Sequence, residues 1–244
     1  MPWRKSPAEL YLRMRNQSPP AYGAFLGTGL SAGKSAICCI SPELFLRVRQ
    51  GEVLTRPIKG TRPRGVTPFD NDAARRELDT SEKERAELNM IVDLERNDLG
   101  RVCSYGSVRV ASSGEIEELP TLLHRTAAVT GRLRPGTTVG ELLAATFPGG
   151  SVTGAPKIRA MQIIAELETV PRGPYCGAIG WIGTDGNLDL NIAIRTAVCD
   201  TANGTARYFA GSGIVADSDP EKECDETLLK AAPFFRAVAG GEQT

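Results

Sequence analysis

Lys59 stands in the stretch Arg56-Pro57-Ile58-Lys59-Gly60-Thr61-Arg62-Pro63-Arg64-Gly65. Two prolines and two glycines stiffen this segment, and the glycine beside the lysine lets a ligand approach the backbone. If Arg56, Arg62 and Arg64 lie close in space, like-charge repulsion lowers the lysine's pKa, and a neutral amine is a nucleophile. Composition alone favours a solvated basic turn. No aromatics interleave with the charges, which argues against a nucleic-acid patch.

Carboxylates are the second signal. Glu84 and Glu87 lie three apart on one helical pattern, and Glu223 and Glu226 repeat the spacing on another, with Lys230 a turn further on. Residues three and four apart share a helix face. Carboxylates converging from two helices suit Mg²⁺, which takes oxygen ligands. For either helix alone, a solvated face with ion pairs is the simpler account. The loop Phe147-Pro148-Gly149-Gly150-Ser151-Val152-Thr153-Gly154-Ala155-Pro156-Lys157 leads into a helix, whose free N–H groups could hold an anion. It is not a Walker loop, because Pro156 precedes Lys157. Pro156 suits a first helical turn, and a plain helix start competes with the anion site. Gly211 and Gly213 after a strand permit close backbone contact with a ligand, or mark a bulge. His124 is the sole histidine, so neither a Ser-His-Asp set nor a His-rich metal site can be built.

These residues need elements to hold them. The pattern predicts a helix over 6–17 and strands near 21–28, 36–41, 43–49 and 52–58. Two helices follow within 69–99, with Asp79 or Thr80 capping the second. Strands return at 107–112 and 122–133, then helices at 139–146 and 155–168. Strands at 176–183, 188–198 and 206–211 carry hairpin signals at Asp185-Gly186 and Asn203-Gly204. A last helix runs from Ser218 to about 238. Hairpin groups separated by helices imply an α+β fold with antiparallel sheets.

The chain has 244 residues, of which 24% are charged, with 29 basic and 29 acidic side chains. That balance gives no general pull towards nucleic acid or membrane. With no apolar run of about 18 residues and no leader pattern, a cytoplasmic chain is expected. Six cysteines without a C-x-x-C pair read as packed thiols.

Taken together, the segments resemble the chorismate-utilising enzymes: anthranilate, aminodeoxychorismate, isochorismate and salicylate synthases. Ser41-Pro42-Glu43, Pro57 to Gly65, Arg85-Ala86-Glu87 and Val92-Asp93-Leu94 to Arg96-Asn97-Asp98 occur in family order. So do Val129-Thr130-Gly131, Phe147 to Lys157, Ile194-Arg195-Thr196 and Gly211 to Glu226. The resemblance covers residues 20 to 238. It implies two large antiparallel sheets packed as a sandwich with flanking helices, and a site between them. It also implies a helical lead-in over 1–20, a catalytic domain over 21–238 and a loose tail over 239–244.

The site residues follow from the same resemblance. Glu87, Glu223 and Glu226 match the Mg²⁺ carboxylates, with Glu84 further out. Tyr175 and Arg195 match groups that hold the enolpyruvyl carboxylate of chorismate. Thr61, Thr153, Gly211, Gly213 and Lys230 match substrate contacts, and His124 a histidine near the departing hydroxyl. Anthranilate synthases typically carry alanine where Lys59 stands. Aminodeoxychorismate synthases carry Pro-Ile-Lys-Gly-Thr, as here. The resemblance therefore implies an amino-group transfer making 4-amino-4-deoxychorismate on the way to 4-aminobenzoate and folate. Lys59 would be the nucleophile and Glu43 the general acid, with ammonia supplied by a glutaminase subunit.

Two departures stand out. Relatives carry a further N-terminal segment. Arg125-Thr126 and Ala127 replace an apolar pair and a serine after the histidine. Two other readings remain beside the aminodeoxychorismate branch: anthranilate synthase, and a shortened non-catalytic module that binds chorismate.

Overall fold

Most helix starts among the described residues are set by side-chain caps. In the computed structural model, which describes residues 1–3, 5–27, 35–120 and 122–240, α1 (Pro7–Gln17) begins where the Ser6 hydroxyl accepts from the Ala8 N–H. Thr67 caps α2 (Pro68–Thr80) in the same way. Ser81, not Asp79 or Thr80, caps α3 (Glu82–Gly100), because only Ser81 is placed to accept from the Glu84 N–H. A reciprocal capping box between Thr138 and Glu141 opens α4 (Val139–Thr146). Pro156 precedes α5 (Lys157–Leu167) by one residue, and Asp219 caps α6 (Pro220–Ala239). Of the tail expected at 239–244, residues 241–244 lie outside the described residues, as does residue 28 at the end of the first expected strand.

The strands are β1 (Tyr22–Gly27), β2 (Ser35–Ser41), β3 (Leu44–Arg49), β4 (Glu52–Arg56), β5 (Ile58–Pro63), β6 (Arg109–Glu118) and β7 (Leu122–Arg132). Then come β8 (Ala178–Ile182), β9 (Leu188–Ile192), β10 (Thr196–Asp200) and β11 (Thr205–Tyr208). They form two antiparallel sheets, as expected. One has the order β1-β2-β10-β11; the other runs β5-β7-β4-β3-β9-β8, with β6 also on β7.

The chain divides into two compact units. Unit 1 comprises Met1–Pro42, Arg172–Ile179 and Asn191–Thr244; unit 2 comprises Glu43–Pro171 and Gly180–Leu190. In unit 1, Leu10 and Met14 of α1 pack with Cys38, Ile40, Ala197 and Phe234 in a buried core. Tyr208 stacks on Phe234 with centroids 4.6 Å apart. In unit 2, α3 turns Leu88, Ile91, Val92 and Leu99 inward at helical spacing. Cys38, Cys39, Cys103, Cys176 and Cys199 are buried and Cys224 is exposed, so five of the six thiols serve packing. Among the described residues no helix is long and apolar enough to cross a membrane.

Two expected elements differ. The segment around Lys59 is strand β5, not a turn. Pro57 interrupts β4, but its carbonyl still accepts from Ala127 N–H at 3.2 Å. Beyond it β5 continues along β7, pairing Thr61 with His124. The strand expected over 188–198 is two strands. Arg195, at φ +50°, turns the backbone into the left-handed region between β9 and β10. A bulky side chain rarely adopts that conformation.

Candidate active site

Unit 2 carries the lysine. On β5, Lys59 Nζ donates to the Ser151 carbonyl at 3.5 Å and lies 4.0 Å from Glu87 Oε2. Its side chain is only 17% exposed. Gly60 follows at φ +82°, and a Cβ there would stand 2.6 Å from Glu84 Oε2 and 2.7 Å from Leu78 Cδ1. That position therefore needs glycine for both its conformation and its lack of a side chain. Thr61 Oγ1 lies 2.9 Å from Nδ1 of His124, which is 1% exposed on β7. Glu43, between β2 and β3, is 4% exposed.

The condition for a lowered lysine pKa, uncompensated arginine charge beside it, is not met. Arg56 pairs with Glu117, Arg62 with Glu77 and Glu84, and Arg64 with Glu118. Each guanidinium is matched by a carboxylate, and the charged group facing Lys59 is Glu87. Arg125 also has a definite role. Buried on β7, it donates to the Leu78 carbonyl at 2.6 Å and pairs with Asp79 at 3.2 Å, closing the C-terminal turn of α2.

The glycine-rich loop is clamped rather than open. Lys157 Nζ reaches back to Asp98 Oδ2 at 2.6 Å and to the Thr146 carbonyl at 2.9 Å. A lysine so engaged cannot cradle a phosphate, in keeping with the failed Walker pattern. Thr153 Oγ1 donates to the Gly149 carbonyl at 2.9 Å, holding the 3-10 turn Gly150–Val152.

Unit 1 carries the other substrate-binding candidates, Thr61 and Thr153 lying in unit 2. The Tyr175 ring stacks on Phe209 at 5.7 Å, and burial pushes its phenol well above the usual range. Tyr208 is pushed up to about 12 by burial, with nearby Arg195 pulling it back, so that guanidinium belongs to the same group. Cys176 N–H donates to the Ala193 carbonyl at 3.0 Å, and Ala193 N–H to the Gly177 carbonyl at 2.8 Å. These bonds tie the Tyr175 turn to the segment leading into Arg195. Lys230 Nζ donates to the Gly211 carbonyl at 3.1 Å and pairs with Glu226 at 2.6 Å. Gly213 follows two residues later in the same irregular stretch. Glu223, buried on α6, accepts from the Ser218 hydroxyl at 2.8 Å.

Within each unit the candidate metal carboxylates come as a pair: Glu84 with Glu87 on α3, Glu223 with Glu226 on α6. No three His, Cys, Asp or Glu side chains form a ready cage among the described residues. The donor set is nonetheless of the kind a hard, oxygen-seeking cation takes. Glu84 Oε2 is buried without a hydrogen-bond partner among the described residues.

Comparison with known proteins places the chain in a family. Residues 1–236 match the family of chorismate binding enzymes.

The chain belongs to that family.

It is 47% identical over 234 residues to an aminodeoxychorismate synthase of Streptomyces griseus, covering 96% of this chain and 32% of that protein. It is 45% identical over 242 residues to anthranilate synthase component 1 of Pseudomonas putida, covering 99% and 48%. The crystal structure of anthranilate synthase component I from Streptococcus pneumoniae superposes with a TM-score of 0.82 at 41% identity, covering 95% of this chain and 50% of that one. The chain thus spans half or less of these relatives' lengths. The chain presents a further feature that sequence reasoning missed. Glu95, buried on α3, accepts from Thr55 Oγ1 at 3.1 Å and lines a small pocket with Asp98, Thr146 and Gly150. Its spacing from Leu88, Ile91 and Val92 was the available signal: a carboxylate on the inward face of an otherwise apolar stripe.

Proposed function

We propose that this chorismate binding enzyme makes 4-amino-4-deoxychorismate from chorismate and ammonia. Relatives of both the aminodeoxychorismate and the anthranilate kind match at similar identity. One observation favours the first: Lys59 presents an amine on β5, beside Glu87 and two residues from the Thr61–His124 pair. In this reading the Lys59 amine, once deprotonated, attacks C2 of chorismate while the ring double bonds shift and the C4 hydroxyl leaves. Protonated Glu43 gives that hydroxyl its proton, so it departs as water. Ammonia then attacks C4, the double bonds shift back, and the lysine is released from C2. An enzyme-bound amine divides one hard displacement into two easier ones.

Tyr175, Arg195, Thr153, Gly211, Gly213 and Lys230 are assigned to holding the substrate, and His124 to the vicinity of the departing hydroxyl. Glu87, Glu223 and Glu226 would hold Mg²⁺, which when bound would neutralise carboxylate charge on chorismate. Ammonia would come from a separate glutaminase subunit, and the reaction would belong to the cytoplasm and to folate supply.

Replacement of Lys59 tests the covalent route. Lys59→Ala should reduce ammonia-dependent product to background while chorismate still binds, and wild-type protein quenched during turnover should carry the mass of a chorismate-derived adduct. Full activity in Lys59→Ala would overturn the route.

A further inference from the structure

Lys157 sits at an unfavourable place for a cation. It is the first residue of α5, a helix with no side-chain cap and no acidic residue in its first turn. There it meets the positive end of the helix dipole. Its partner Asp98 lies on the inward face of α3, where an unpaired charge is costly. The two meet at 2.6 Å, with side chains only 14% and 8% exposed. The same Nζ donates at 2.9 Å to the carbonyl of Thr146, the last residue of α4, and so gives a helix-end carbonyl its partner.

The residues between Thr146 and Lys157 are the glycine-rich loop. The lysine therefore folds back across that loop and fastens both of its ends to α3. The middle of the loop is pressed on the same helix. A Cβ on Gly150 would stand 3.0 Å from Leu94 Cδ2 and 3.6 Å from Glu95 Cγ. The Thr153 hydroxyl holds the Gly149 carbonyl at 2.9 Å. Between those two residues lies Ser151, whose carbonyl accepts from Lys59 Nζ at 3.5 Å.

We propose that Asp98 and Lys157 are positioning residues: their buried ion pair closes the loop over 147–156 onto α3 and so sets the Ser151 carbonyl that holds the Lys59 amine. The inference rests on the preceding reading, in which Lys59 is the nucleophile. A reacting group displaced by about 1 Å can lose on the order of 10²-fold in rate. Most of the assigned substrate contacts lie on other segments, so the pair acts on the rate more than on binding.

The test must separate positioning from stability. Lys157→Met alone leaves Asp98 buried and unpaired, and unfolding could explain any loss. The double variant Asp98→Leu with Lys157→Met removes both charges and keeps apolar bulk, so its urea midpoint should stay near that of the wild type. Its kcat with chorismate, Mg²⁺ and ammonium salt should nonetheless fall about tenfold or more, with a much smaller change in KM. Wild-type kcat in this folded variant would show that the pair serves stability alone and overturn the proposal. Limited acetylation with acetic anhydride, mapped by mass spectrometry, reads Lys59 without turnover. Lys59 should be modified several-fold faster in the double variant than in the wild type, with exposed Lys5 as the internal reference. Should the double variant fold poorly, Asp98→Asn should show the same pattern at smaller size. An unchanged Lys59 rate in a folded variant overturns the proposal. A product other than 4-amino-4-deoxychorismate would refute the assigned reaction, and the acetylation rates would still decide the clamp.

Discussion

Thr61 Oγ1 lies 2.9 Å from His124 Nδ1, across directly paired positions of β5 and β7. The bond fixes the imidazole ring of a fully buried histidine and ties it to the strand that carries Lys59. Thr61→Val keeps the shape and strands the ring nitrogen. The expected cost is roughly 1–3 kcal/mol of stability, read as a lower urea midpoint. In the assigned reaction kcat should fall more than KM changes, and Thr61→Ser should restore both.

Gly60 is a tightly enclosed position of β5. Any side chain there meets Glu84 and Leu78 and must also adopt φ +82°. Gly60→Ala should destabilise the chain by at least about 2 kcal/mol, from left-handed strain plus overpacking. Because β5 would have to shift, Lys59 reactivity should drop as well. Urea unfolding followed by circular dichroism, alongside activity, checks both.

Stability should depend on pH through Glu95. Its folded pKa of about 8 lies above the value of 4.5 for a free side chain. Between those values the folded state holds a proton that the unfolded state has lost, so stability falls as pH rises. The contribution is fully present below about 4.5 and gone above about 8. Its size is on the order of 5 kcal/mol as an upper bound. Glu95→Gln should flatten this slope, as measured by unfolding free energies across pH 5 to 8.

Much of this was legible from the sequence because the signals were local. The helix α4 begins and ends where the pattern places it. Asp185-Gly186 and Asn203-Gly204 likewise mark their turns, with Gly186 and Gly204 at positive φ. What escaped depends on partners distant in the chain. The lysine, glycine and proline of β5 resist strand structure, and β7, some 63 residues on, imposes it. The break at Arg195 hides in continuous apolar alternation, because only the switch from one sheet to the other demands it. The arginines near Lys59 looked like a cationic cluster until glutamates from α2, α3 and β6 met them. Glu95 looked like one more charged residue until its helix face was known.

The most direct test of the whole account is product analysis. The chain is incubated with chorismate, Mg²⁺ and an ammonium salt, and the products are read by mass spectrometry. The account predicts 4-amino-4-deoxychorismate without pyruvate. Anthranilate accompanied by pyruvate would contradict it and move the chain to the sister branch of the family despite Lys59.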